Sequence, residues 1–234
     1  MTITSPHNEK LKTIRKLTQR RRERERSGWF VAEGEDLLAA ADAAGWEPVH
    51  RLCAAGSGLA GEEVEPGVLA SVSGLGSGTR TLGVYEERWA PVPLGPLCVA
   101  LYGVGDPGNI GTVLRSARAF GASVALGANC ADPFSPKAVR ASMGAIFEVA
   151  LARVDTVAAL PGQTVALAAD AGPTLSQVDL REVTLLIGAE RDGLPDEVLA
   201  AADATARIPI ASHSLNAAMA ATVALYEASR ITRA

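Results

Sequence analysis

In the second half of the chain, apolar positions cluster in short runs. They are Leu97–Val104, Ser123–Gly127, Phe147–Val154, Thr164–Ala168, Val183–Gly188 and Ala206–Ile210. Runs of this length, with little regular polar alternation, read as strands buried on both faces. Between them lie stretches with helical spacing, at Ile110–Phe120, Pro136–Met143, Pro195–Ala201 and Leu215–Ile231. This alternation predicts an α/β fold whose mostly parallel sheet carries helices on both faces. The first half has a different rhythm. Leu11, Ile14 and Leu17 recur at three to four residues and give residues 1–26 a narrow apolar stripe on a helical segment. Phe30–Gly34 reads as a strand and turn, and Asp36–Ala44 as a helix ended by Gly45. From Val49 to Tyr85, short apolar runs are broken by loops at Gly56–Gly61 and Gly74–Gly78. These features describe a small α/β domain. Three prolines within Pro91–Pro96 form a stiff connector. The expected division is therefore a small domain at 1–90, a linker at 91–96 and a larger domain at 97–234.

Charge changes this picture at one end only. The net charge is −4, yet residues 1–27 hold nine Lys/Arg against three Glu. The remaining 207 residues hold the other 13 Lys/Arg and 23 Asp/Glu. A basic end on an acidic protein is aimed at an anionic partner, and nucleic-acid phosphate is the favoured one. The candidate contacts are Lys16, Arg20, Arg21, Arg22 and Arg24, although Glu23 and Glu25 interrupt the run and a solvated helix face is the plainer reading. Three scattered cysteines with no CxxC pair argue against a disulfide framework and against a zinc site, so no metal is expected. No apolar run reaches about 18 residues, and the charged N-terminus lacks a signal-peptide core. The expectation is a cytoplasmic protein with no membrane partner.

Four segments carry candidate chemistry. In Asp106-Pro-Gly-Asn-Ile-Gly-Thr-Val-Leu-Arg-Ser-Ala-Arg-Ala-Phe-Gly121, a strand delivers a tight loop that opens a helix. Such helix starts attract anions, and Arg115 and Arg118 follow on the helix. Asn109 is a natural N-cap, and Arg118 suits a phosphate or an ion pair equally. Gly103–Gly108 fits G-x-G-x-x-G in its required context, which keeps a dinucleotide enzyme as the alternative. Pro107 weakens it by removing an N–H, and the nearest acid, Asp132, lies several residues past the next strand. Ser135–Gly144 is a second basic helix start, with Arg140 as a candidate RNA contact. Leu185–Pro195 is a strand ending in a Gly-rich turn, with Glu190 at its tip, where α/β sheets bind ligands. Arg207–Asn216 precedes the last helix, which Ser214 or Asn216 can cap. His213, without a Ser/Asp partner pattern, reads as a loop residue.

Taken together, Asn109-Ile-Gly-x3-Arg115-x4-Phe-Gly121, Leu186-Ile-Gly-x-Glu190-x2-Gly193-Leu and Ile208-Pro-Ile-x3-Ser214-Leu-Asn216…Ala224-Leu-Tyr-Glu227 resemble the motifs of SpoU-type (TrmH-like) RNA 2′-O-ribose methyltransferases of the SPOUT superfamily. They stand in family order and spacing. The N-terminal part resembles the ribosomal-protein-like substrate-binding domain that precedes this catalytic domain. The resemblance implies transfer of a methyl group from S-adenosylmethionine to a ribose 2′-hydroxyl, of rRNA rather than tRNA. It also implies a deep trefoil knot and a homodimer built through the catalytic domains. Cofactor contacts map to Gly188, Ile208 and Leu215, with Ile187, Ile210 and Asn216 beside them. Arg115 maps to the acceptor hydroxyl, helped by Asn109, Glu190, Ser214 and Asn216. One departure is Ala217-Ala-Met219, where relatives carry Val and Ser. A non-catalytic RNA-binding protein on the same fold is the third reading.

Overall fold

The structure, a computed structural model, describes residues 2–74, 78–169, 172–211 and 214–232. His213 and part of the Gly74–Gly78 loop lie outside the described residues. The first elements in chain order are α1 (Glu9–Gln19), α2 (Arg21–Ser27), β1 (Trp29–Glu33), α3 (Glu35–Ala43), β2 (His50–Ala54), β3 (Glu62–Val64), α4 (Pro66–Ala70) and β4 (Thr81–Glu86). Then follow β5 (Leu97–Leu101), α5 (Pro107–Phe120), β6 (Ser123–Leu126), α6 (Pro136–Ala141), β7 (Leu151–Arg153), β8 (Gln163–Leu167), β9 (Val183–Ile187), α7 (Asp196–Ala201), β10 (Ala204–Ala206) and α8 (Ala217–Thr232). The chain forms two compact units. The first holds residues 1–87 and 132–147, and the second holds 88–131 and 148–234.

In the first unit a four-stranded sheet runs in the order β1-β4-β2-β3, antiparallel except for the β2–β3 pair. Strand alternation sends Val31, Leu52, Leu82 and Val84 to a core shared with the α1 stripe Leu11, Ile14 and Leu17, all buried as the periodicity predicts. Phe30 instead joins an aromatic cluster with Trp46, Tyr85, Phe134 and Phe147, the Phe30 and Phe134 centroids lying 4.9 Å apart. The Trp46 indole N–H donates to the Phe147 carbonyl at 2.9 Å. Two members of this cluster come from 132–147. That segment therefore belongs with the first unit's core, not with the sequence stretch around it. Phe147, expected within a strand, sits in a single 3₁₀ turn.

The second unit has a six-stranded, wholly parallel sheet in the order β10-β8-β9-β5-β6-β7. β5 and β9 are buried at every position, as near-continuous apolar runs require. β10 ends at Ala206, so the expected strand Ala206–Ile210 is displaced towards the N-terminus. Arg207 leaves the ladder, its N–H donating to the Pro173 carbonyl at 2.9 Å, and Asp203 fixes the start. The Asp203 carboxylate accepts from the Thr164 N–H at 2.8 Å and the Thr164 hydroxyl at 2.7 Å, which fixes β10 against β8 early. These bonds also hold the Asp203 carboxyl below its ordinary pKa. Pro209, lacking an N–H, cannot extend the ladder. α8 packs along α5, with the Ser116 and Thr222 hydroxyls 2.6 Å apart. Among the described residues no helix is long and apolar enough to cross a membrane.

Candidate active site

A cavity of about 320 Å³ opens at the carboxyl ends of β8 and β9. Ligands collect at this end of a parallel sheet because the loops there converge and are free to vary. Of the expected cofactor residues, Ile187, Gly188, Ile208, Ile210 and Leu215 line it, as do Glu190 and Ser214. The sequence reading missed Leu167–Ala169, although the end of a central strand was signal enough. It also missed Arg191 and the small residues Ala217 and Ala220 of α8. Gly188 is demanded by packing. A Cβ there would lie 2.1 Å from the Gly193 carbonyl carbon and 2.3 Å from the Leu194 nitrogen. This close approach lets the tip after β9 fold back on itself. Ala189 and Gly193 exchange two backbone hydrogen bonds of 3.0 Å, with Gly193 in the left-handed region at φ +68°.

A chain of amides joins three expected catalytic residues. The Asn216 Nδ2 donates to the Asn109 Oδ1 at 3.1 Å, and the Asn109 Nδ2 donates to the Glu190 carboxylate. Asn216 also caps α8, its Oδ1 accepting from the N–H groups of Ala218 and Met219 at 3.0 and 3.3 Å. The capping reading of Asn109 is corrected. Asp106 is the N-cap of α5 and accepts from the Gly108 N–H at 2.9 Å, with Pro107 at the first helical position. Asn109 lies in the first turn, and its side chain is free to bridge the two loops.

The arginines separate into different roles. Arg115 is exposed on α5 and makes no hydrogen bond or ion pair among the described residues. Arg118 pairs with Glu148 at 2.9 Å, which favours its ion-pair reading. Arg140 is half-buried on α6 beside a cleft that also holds Glu33. Lys16, Arg20 and Arg22 are exposed and unpaired among the described residues, while Arg21 pairs with Glu25 on its own helix at 2.7 Å. Arg24 departs from expectation. It is 5% exposed, donates to the Leu17 carbonyl, and meets Asp132 at 2.7 Å.

These contacts also dispose of the dinucleotide alternative. In Gly103–Gly108, the amide of Gly108 is taken by the Asp106 side chain, and the amide of Gly103 donates to the Ala128 carbonyl at 3.0 Å. Asp132, the acid that would have to meet a ribose, is held by Arg24. Burial pushes the Cys98 and Cys130 thiols up, so neither is a ready nucleophile.

Fold and site together define a parallel α/β unit with a cavity at the carboxyl ends of its strands, and a smaller α/β unit whose first 27 residues are basic. The chain matches the SpoU rRNA Methylase family over residues 96–226 and the MRM3-like substrate binding domain over residues 8–81. It belongs to the SpoU family and is an RNA methyltransferase. An uncharacterized tRNA/rRNA methyltransferase of Synechocystis sp. is 33% identical, the alignment covering 97% of this chain and 93% of the relative. The 23S rRNA (guanosine(2553)-2′-O)-methyltransferase RlmP of Bacillus subtilis is 26% identical, with 96% and 97% covered. The crystal structure of an AdoMet-bound rRNA methyltransferase from Sinorhizobium meliloti superposes with a TM-score of 0.88 at 35% identity, covering 98% of this chain and 97% of that one.

Proposed function

We propose that this protein methylates a ribose 2′-hydroxyl of rRNA in the cytoplasm, with S-adenosylmethionine as the methyl donor. The cavity beyond β8 and β9 is the observation that carries this reading. Its volume, about 320 Å³, lies at the low end of small-molecule sites, and its walls are mostly apolar and small. The close approach at Gly188 makes that shape, so the residues present fit the cofactor. When bound, S-adenosylmethionine supplies an electrophilic sulfonium methyl group. Ile187, Gly188, Ile208, Ile210 and Leu215 would hold its adenosine end. The Asn216–Asn109–Glu190 chain ties the site loops to the start of α5, which keeps the polar mouth in one geometry. Arg115 stabilises negative charge developing on the acceptor oxygen and anchors a neighbouring phosphate. Arginine stays protonated in proteins, so it is not the base. Proton removal falls to water or to the RNA's own phosphate. Met219, Val223 and Tyr226 form an exposed apolar stripe on α8, spaced at four and three residues. That stripe supports a homodimer built through the second unit.

Two measurements test this reading. Calorimetric titration is expected to show S-adenosylmethionine or its demethylated product binding, and NAD(P) not binding. Tight NAD(P) binding without sulfonium binding reverses the assignment. Mapping of 2′-O-methyl sites in total RNA, with and without the protein, then identifies the nucleotide. The basic segment gives a further expectation. Replacing Lys16, Arg20 and Arg22 with Ala is expected to weaken RNA binding and to lower the salt slope by roughly one unit for each phosphate no longer neutralised. An unchanged slope in a filter-binding salt series assigns the segment another role.

A further inference from the structure

We propose that Arg191 grips the carboxylate at the amino-acid end of the cofactor, an inference that rests on the S-adenosylmethionine reading above. The charges lining the cavity carry it. Among its described lining residues, Arg191 is the only cation and Glu190 the only anion. A Glu190 oxygen is already engaged by the Asn109 amide. Arg191 makes no hydrogen bond or ion pair among the described residues. The ligand's chemistry is complementary. The purine and the ribose hydroxyls are neutral and need no cation, and the apolar walls suit them. The α-carboxylate is the ligand's one anionic group, and a planar guanidinium fork meets a carboxylate through two parallel N–H···O bonds. Backbone placement favours the same role. Arg191 is the middle residue of the tip closed by the reciprocal Ala189–Gly193 hydrogen bonds, so its Cα is held while its long side chain reaches the cavity. Arg191 is thus a residue that fixes the donor's tail, separate from Arg115, which serves the acceptor.

The test compares two ligands that differ only in the carboxylate: S-adenosylhomocysteine and S-adenosyl-3-thiopropylamine. Each is titrated calorimetrically into the full-length wild type, Arg191→Gln and Arg191→Lys. Arg191→Gln is expected to lose about tenfold to a hundredfold in affinity for S-adenosylhomocysteine. Its affinity for the amine is expected to stay within about twofold of wild type, and Arg191→Lys to recover part of the loss. An equal loss for both ligands makes Arg191 structural and overturns the proposal. So does an unchanged affinity for S-adenosylhomocysteine. A loss confined to RNA affinity in filter binding moves the guanidinium to a phosphate and also overturns it. A wild type that binds neither ligand overturns the cofactor reading itself, which separates the two failures.

Discussion

Arg115→Ala is expected to slow methyl transfer by about a hundredfold to a thousandfold while sparing cofactor affinity. Arg115 stands on α5, is exposed, and is absent from the lining of the cavity beyond β8 and β9. On the proposed role, its loss removes charge stabilisation at the acceptor and leaves the donor pocket whole. The two asparagine-bridged loops do not depend on it either, because Asn109 lies six positions earlier and points its amide at Glu190. Arg115→Lys keeps the charge but loses the fork, so it should rescue poorly. Single-turnover methylation of the mapped RNA, run beside S-adenosylhomocysteine titration and light scattering, checks each part. A mutant with near wild-type turnover takes Arg115 out of the chemistry. One that loses cofactor binding or changes its oligomeric state together with activity gives it a structural role.

Arg24→Ala is expected to lower the unfolding free energy by about 3–5 kcal/mol, the usual cost of removing one partner of a buried ion pair. The mutation strands the Asp132 carboxylate, whose side chain is only 12% exposed, although the Phe134 N–H still donates to it at 2.8 Å. It also leaves the Leu17 carbonyl without its guanidinium donor. The further change Asp132→Ala in the same chain should return part of the loss, because no uncompensated charge then stays inside. Urea unfolding of the two single mutants and the double mutant yields the coupling directly. The contrary outcome is equally readable. Unchanged stability with a reduced salt slope for RNA would return Arg24 to the binding surface.

Arg24 shows where sequence reading stopped. Nine cations crowd residues 10–26, and no local pattern tells which one turns inward. The acid that takes Arg24 lies 108 positions away. The asparagine chain is equally non-local, with links spanning 107 and 81 positions. Only the family resemblance brought those residues together, and capping propensity alone put Asn109 in the wrong role. The parallel sheet was legible because a strand buried on both faces must be almost wholly apolar, as in β5 and in β9, whose one hydroxyl, on Thr184, donates to the Pro161 carbonyl at 2.6 Å. The misplaced runs have definite causes. Ala206–Ile210 looks like a strand to an apolar count, but the Asp203–Thr164 bonds fix where β10 starts, and Arg207 leaves the ladder by pairing its backbone with Pro173 and Leu175. Phe147 reads as the start of a strand because hydrophobicity does not reveal which core a residue will join.

The return of residues 132–147 to the first unit bears on the protein's ancestry. A recombination event that transplanted residues 1–87 alone would deliver a sheet lacking Phe134 and Phe147, with Arg24 facing no acid. The leading 87 residues are therefore not a free cassette, because their aromatic core is complete only with Phe134 and Phe147. That core and the intervening 132–147 segment must be inherited together, and a substitution at Phe30 or Trp46 should be answered by change more than 80 residues downstream.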